Sequence, residues 1–415
     1  MTTIAERPPA QQDSLSLSSD EMPALRRGAG ITVRVAQRPG EGDLCGADNR
    51  VLQAAVDYVG ALGGGTVEIG PGMYEMRDSL HLRSGVAVRG SVGNAGARPV
   101  LRKADGIVSR LVLDGDYGEE QITVAEGQGF APGCGVAVWD DRSGGFHTTV
   151  AGILEGPLPP AVPEEALGKT FRVSGPMQAD CLVSRNATAA TVFPVISGYH
   201  VHGVSIEGLE IDGNRENNAP LNGCRGGGIF LYRGHGTAVT DCVVRDYNGD
   251  GISFQQSNDV RVERCEVFGN AQLGIHPGSG SQRPVVADCF SHENGTIGLF
   301  LCWRVRGGVF QRNRLERNGR TGISIGHKDT DNLFVENVSA ENGRYGVLFR
   351  DETAPMAGHR NRFVRCEIFR NGTDAAPGEG ADVRVEGETR DVVFEDCTIT
   401  GEISVGPKAQ APRLE

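Results

Sequence analysis

Residues 251–275 read GISFQQSNDVRVERCEVFGNAQLGI, and this stretch decides the fold. It opens and closes on a Gly followed by Ile. The same pair, a Gly before a branched apolar residue, recurs at Gly228, Gly251, Gly274, Gly298, Gly322 and Gly346, in steps of 23, 23, 24, 24 and 24 residues. Asn270, Asn294, Asn318 and Asn342 keep the same beat, with Asn248 one residue out of step. A fixed short period is the signature of a solenoid, whose repeats bury their apolar faces only by stacking on one another. Gly251-Ile252-Ser253-Phe254 and Asp259-Val260-Arg261-Val262-Glu263 alternate apolar and polar, as half-buried strands do. Asn-Gly pairs between such runs (Asn248-Gly249, Asn294-Gly295, Asn318-Gly319, Asn342-Gly343) tolerate left-handed turns. Two to three short strands per beat leave no room for a helix. The expected fold is all-β: a parallel β-helix with one coil per beat.

In such a stack the Asn side chains form a ladder, because an amide both donates and accepts. Cys242, Cys265 and Cys289 fall 23 and 24 residues apart and are expected to stack as small apolar filler, with Cys366 and Cys397 in similar strand contexts. Ten Cys without close paired spacing argue against a disulfide framework. No run approaches the ~20 apolar residues that cross a bilayer, so no membrane partner is expected. A net charge of −12 argues against nucleic acid. Between Leu301 and Arg370, however, 13 Arg or Lys stand against 8 Asp or Glu, a basic zone suited to an anionic ligand.

Working outward, residues 1–30 read as a flexible lead without a signal peptide. The chain as written is expected in the cytoplasm, and a longer precursor would be expected to be secreted. Residues 31–114 read as an N-terminal cap and first coils. Leu52, Ala55, Val56, Val59 and Leu62 fall on one helical face, followed by Gly63-Gly64-Gly65. Residues 115–196 lose the beat and read as a β-rich insertion, 197–405 as the main β-helix, and 406–415 as a polar tail.

Leu52-Gln53-Ala54-Ala55-Val56, the triple Gly, and Thr66-Val67-Glu68-Ile69-Gly70-Pro71-Gly72-Met73-Tyr74 resemble the opening segment of pectate-lyase-like right-handed parallel β-helix proteins. The resemblance implies a capping helix and a first coil here. It also implies a polysaccharide or oligosaccharide partner, because the superfamily contains polysaccharide lyases, glycoside hydrolases, epimerases and non-catalytic proteins. Some of its lyases use Ca²⁺, so Ca²⁺ is a possible cofactor, although no carboxylate cluster marks a metal site. Side-by-side trimers occur among such solenoids and stay open for this chain.

Candidate chemistry lies beyond each repeated Gly. One row carries Ser253, His276, Phe300 and Ser324. The next carries Tyr232, Gln255, Cys302 and Arg350. The third carries Arg233, Trp303, His327 and Asp351, followed by Arg304, Lys328, Asp329 and Glu352. Coils ~4.8 Å apart match a sugar residue of ~5 Å, so successive coils address successive sugars. Elimination or C5-epimerisation of an acidic glycan needs a base and a group that neutralises the uronate carboxylate. His276, His327, Lys328, Arg350 and Asp351 are the catalytic candidates. Tyr232, Arg233, Gln255, Trp303, Arg304, Asp329 and Glu352 are the sugar-binding candidates. Gly274-Ile275-His276-Pro277 resembles the His-bearing catalytic segment of alginate epimerases, but the Asp that accompanies that His is missing from this run. Hydrolysis needs two carboxyls ~5 Å or ~6.5–9.5 Å apart, with Asp212, Asp250, Asp329, Asp351 and Glu352 as candidates. Gly234-His235-Gly236 resembles a polygalacturonase tripeptide. A non-catalytic glycan-binding solenoid is the third alternative.

Overall fold

The computed structural model describes residues 30–93, 96–376 and 378–415. Apart from Gly30, the flexible lead expected over 1–30 lies outside them. The repeats coil as expected, with three strands per turn. Ile252–Gln255, Arg261–Glu263 and Glu266–Phe268 enter three different parallel sheets, here sheets I, II and III. Sheets I and III have ten strands each and sheet II has thirteen. Register is strict along sheet I: Ile229 pairs with Ile252, Ile252 with Ile275, and Ser253 with His276.

The two sequence markers explain one another. Asn270, Asn294, Asn318, Asn342 and Asn371 form one buried ladder at the turn from sheet III into sheet I. Each Nδ2 donates to the next Oδ1 at 2.9–3.0 Å, and the chain ends on Asp382 at 2.8 Å. A Cβ on Gly251 would lie 2.8 Å from Asn270 Nδ2 and 2.4 Å from Val267 Cγ1, so the beat requires Gly where the coil passes the ladder. Asn248 stays outside it and donates to Asn218 O. Cys242, Cys265 and Cys289 stack in a second row that continues through Asn313, Asn337, Cys366 and Cys397, and every Cys is free. Inside sheet II, the rings of Phe310, Phe334, Phe363 and Phe394 stack at 4.4–4.8 Å.

Helix α1, Asn49–Ala61, closes the first coil with Leu52, Ala55, Val56 and Val59 buried and Asp48 as its N-cap. Leu62 departs from the expected apolar face. It is the C-cap residue, turned out of the helix, and is 49% exposed. The β-rich insertion is a six-stranded antiparallel sheet. It begins earlier than residue 115, because Val108–Arg110 pairs with Thr188–Ala190 rather than with the solenoid. It has its own apolar cluster, and it docks on the solenoid core through Ala137 and Ala190. The segment 406–415 is not a free tail, since Arg413–Leu414 adds a last strand to sheet II. Much of the basic zone is neutralised between coils. Arg312 pairs with Asp288, Arg360 with Asp331, Arg365 with Glu336 and Arg370 with Glu341. No helix of the described residues is long and apolar enough to cross a membrane.

Candidate active site

Three turns from sheet III into sheet I break the beat, and two of them, on the upstream coils, border the cavity. Residues 104–195 carry the insertion, and residues 213–228 form a long Gly-rich loop. Both stand beside the outward face of sheet I and, with the coils that follow, enclose a cavity of about 720 Å³. The insertion contributes Trp139 and Phe146, the loop Asn222 and Cys224, and the short turns Asn248, Asp250 and Gln272. Sheet I and its far edge contribute His276, Phe300, Cys302, Trp303 and His327.

His276 sits at the inner end of this cavity. Its Nδ1 lies 2.7 Å from Asp250 Oδ2, and both side chains are buried. Asp250 precedes the strand one coil upstream, and its other oxygen accepts from Leu273 N. With Nδ1–H donating to the carboxylate, Nε2 carries the lone pair of a base. Gln255 Nε2 lies 3.5 Å from that nitrogen, and the Phe300 ring packs T-shaped with the imidazole at 5.1 Å between centroids. The cavity thiols are not nucleophiles near neutrality, because burial pushes Cys302 up to about 12 and Cys224 higher still.

His327 forms a second pair at the outer end. Its Nε2 is 2.7 Å from Glu352 Oε1, and its ring stacks on Trp303 at 5.1 Å. Burial and then the neighbouring Arg350 lower its pKa, while Glu352 opposes them. His327, Trp303 and their row-mates Arg233, Gln256 and Ser279 all have left-handed backbone, because the chain turns sharply there out of sheet I.

Of the candidates read from the sequence, His276, His327 and Trp303 come together in this cavity, with Glu352 behind His327. Gln255 is buried beside His276 rather than presented to sugars. Arg350 and Asp329 form a structural pair beneath the floor. Arg350 donates to Ser324 Oγ, Leu301 O and Asp329 Oδ2, at 2.8, 2.8 and 3.2 Å. The fully buried Asp329 carboxylate accepts from Val305 N and Gly326 N, and burial pushes it up to about 7. These contacts hold both side chains against the floor, with only Arg350 Nε left without a partner. Lys328 and Arg304 lie on the edge turn outside the cavity lining, and Asp351 faces a separate hollow with Arg384 and Lys408. Tyr232 and Arg233 stand upstream in an aromatic group with Tyr199 and His200. His235 Nδ1 accepts from Asn258 N, which is a turn contact. Of the five hydrolase carboxyls, only Asp250 lines the cavity; Asp212 is held by Arg245. Among the described residues, no three His, Cys, Asp or Glu side chains converge as metal ligands.

Asp250 was hidden as the partner of His276 by its turn, Asn248-Gly249-Asp250-Gly251. The signal was in the beat: Ser253 pairs with His276, and Asp250 lies three residues before Ser253.

Residues 181–339 match the family described as the right handed beta helix region. Over 99 residues, 24% of this chain, the sequence is 28% identical to mannuronan C5-epimerase AlgE2 of Azotobacter vinelandii, and the match spans 10% of that relative. The chain thus covers only a small part of its length. The structure superposes on the A-module of Azotobacter vinelandii mannuronan C-5 epimerase AlgE6 with a TM-score of 0.54 at 15% identity, covering 88% of this chain and 85% of that one. It superposes on the alginate lyase from Paenibacillus sp. str. FPU-7 with a TM-score of 0.52 at 12% identity, covering 91% and 99%. These structural likenesses are likenesses of fold.

Proposed function

We propose that this chain, a right-handed parallel β-helix of the pectate-lyase-like kind, modifies an acidic polysaccharide by removing the proton α to a uronate carboxylate. The observation that carries the reading is the buried Asp250–His276 pair lining a ligand-sized cavity. His276 Nε2 takes the C5 proton, and Asp250 stabilises the imidazolium that forms. Charge then builds on the uronate carboxylate. Asn222 and Gln272 line the same cavity and offer it side-chain N–H donors. Reprotonation from the other face gives C5-epimerisation, and loss of the 4-linked sugar gives elimination. The lone carboxylate in the lining supports proton abstraction over hydrolysis, which needs two. The names of the relatives support the same class and make mannuronan the first polymer to test.

The test is incubation with mannuronan and other uronate polymers in D₂O. The expected result is deuterium at C5, or absorbance at roughly 235 nm from an unsaturated product of elimination, abolished by His276→Ala. New reducing ends without either signal would replace this reading with hydrolysis. No change in any uronate polymer would end it.

A further inference from the structure

We infer that the cavity is blind at one end, so that the protein acts on the terminal sugars of a glycan rather than within the chain. This rests on the function proposed above. From Ser197 onward the outward positions of sheet I carry Ser197, Phe230, Ser253 and His276, at 1, 1, 0 and 2% exposure; upstream of them the His81 side chain is 40% exposed, and downstream Phe300 and Leu348 are half-buried, with Ser324 between them covered by the Arg350 side chain that donates to its Oγ. Outward side chains are buried only where something lies over them. The roof consists of the two long turns on the upstream coils. Ser253 Oγ donates to Gly223 O at 2.6 Å, so the 213–228 loop rests directly on the sheet. Gly223 presses on the site itself, since a Cβ there would fall 1.6 Å from an Asp250 carboxylate oxygen. The loop also abuts the insertion, with Arg225 Nε donating to Phe146 O at 2.5 Å. Over the coils that follow, the same turns shrink to the Asn ladder, and the next long one, between Phe369 and Ala381, lies outside the cavity lining.

A glycan lying along the coil axis therefore enters past Trp303 and His327 and stops under the roof. With coils ~4.8 Å apart and sugars of similar length, His276 meets the first or second residue of the chain. The contact between Arg225 and Phe146 is thus a specificity element: it turns an open groove into a pocket.

The experiment uses uronate decamers in D₂O, with the modified residue located by tandem mass spectrometry. The expected result is deuterium or unsaturation confined to the first two positions of one end, and none in a decamer blocked at both ends by bulky groups. Modification spread through the interior would overturn the inference while leaving proton abstraction intact. No modification of any uronate oligomer would overturn both. The Arg225→Ala variant, which removes the donor to the Phe146 carbonyl, is checked for native circular dichroism and is expected to spread modification inward. A terminal pattern unchanged in that variant would refute the role of the roof.

Discussion

Asn318→Ala is the sharpest test of the stacking on which every positional argument depends. Asn318 sits mid-ladder and is buried. Its Nδ2 donates to Ser291 O at 3.2 Å and to Asn342 Oδ1 at 3.0 Å, and its Oδ1 accepts from Asn294 N at 3.2 Å and Asn294 Nδ2 at 3.0 Å. Alanine removes all four bonds, but not with equal effect. Asn294 Nδ2 keeps Val267 O and Ser291 Oγ, and Asn342 Oδ1 keeps the backbone N–H of residue 318. The Asn294 backbone N–H is left with nothing. An orphaned buried donor costs about 1–3 kcal/mol and each of the other three lost bonds about 0.5–1.5 kcal/mol, so a loss of roughly 3–7 kcal/mol is expected. Arg283→Ala is the control. It removes a two-pronged but exposed pair with Asp259, for which about 0–1 kcal/mol is expected. Urea unfolding followed by circular dichroism gives the difference, and amide exchange locates it, since a solenoid can open repeat by repeat. Equal small losses for the two variants would refute the ladder as a source of stability.

Other substitutions probe the site and its supports. Asp250→Asn withdraws the carboxylate that orients His276, and kcat on a uronate polymer is expected to fall by about 10²–10⁴-fold; wild-type turnover would remove His276 from the base role. Trp303→Ala deletes a sugar-stacking face beside His327, and KM is expected to rise roughly tenfold for a contact of about 1.4 kcal/mol, with kcat little changed; an unchanged KM would place the glycan elsewhere. Lys103 is buried, donates to Thr191 O at 2.8 Å and to Asn218 Oδ1, and so ties the insertion and the 213–228 loop to the first coils. Burial lowers its pKa from the ordinary 10.5 to about 7, so between these values the unfolded chain holds a proton that the folded chain has released. Stability is therefore expected to rise with pH across that window and to be lowest below about 7, and Lys103→Met is expected to remove this dependence. Parallel stability–pH curves for the two proteins would contradict the burial.

The solenoid was legible because its physics repeats. At Gly251, Gly274, Gly298, Gly322 and Gly346 the Gly is required by the amide that passes it, so one steric constraint wrote itself into the sequence five times, and at Gly228 Val244 stands in the same place. The cap was legible for a similar reason, since Asp48 and the buried stripe of α1 follow local rules. Where the beat stretches, the sequence says less. Asn332 meets Asn361 and Asn342 meets Asn371 across 29 residues rather than 24, because a turn absorbs extra residues without disturbing register. The strand at Arg413–Leu414 was illegible in a polar, Pro-bearing segment, because two residues paired on an edge leave no pattern.

The site was half legible, and the division is physical. Register alone brings His276, Trp303 and His327 to one face, so reading down rows found them. Register does not reveal which parts of that face are dry. That depends on two turns that obey no beat, and they decide the fate of each row. Under them the Asp250–His276 pair is shielded from water, where a charge–dipole interaction is stronger than at a surface. Beyond them, the exposed Arg–Asp pairs are screened and weakly coupled. Arg350 and Asp329 show the converse: they share rows with the edge candidates, yet the rings and carbonyls around them turn reactive side chains into a support for the floor. In a stacked coil the repeat fixes the addresses, and the interruptions of the repeat determine which of them do chemistry.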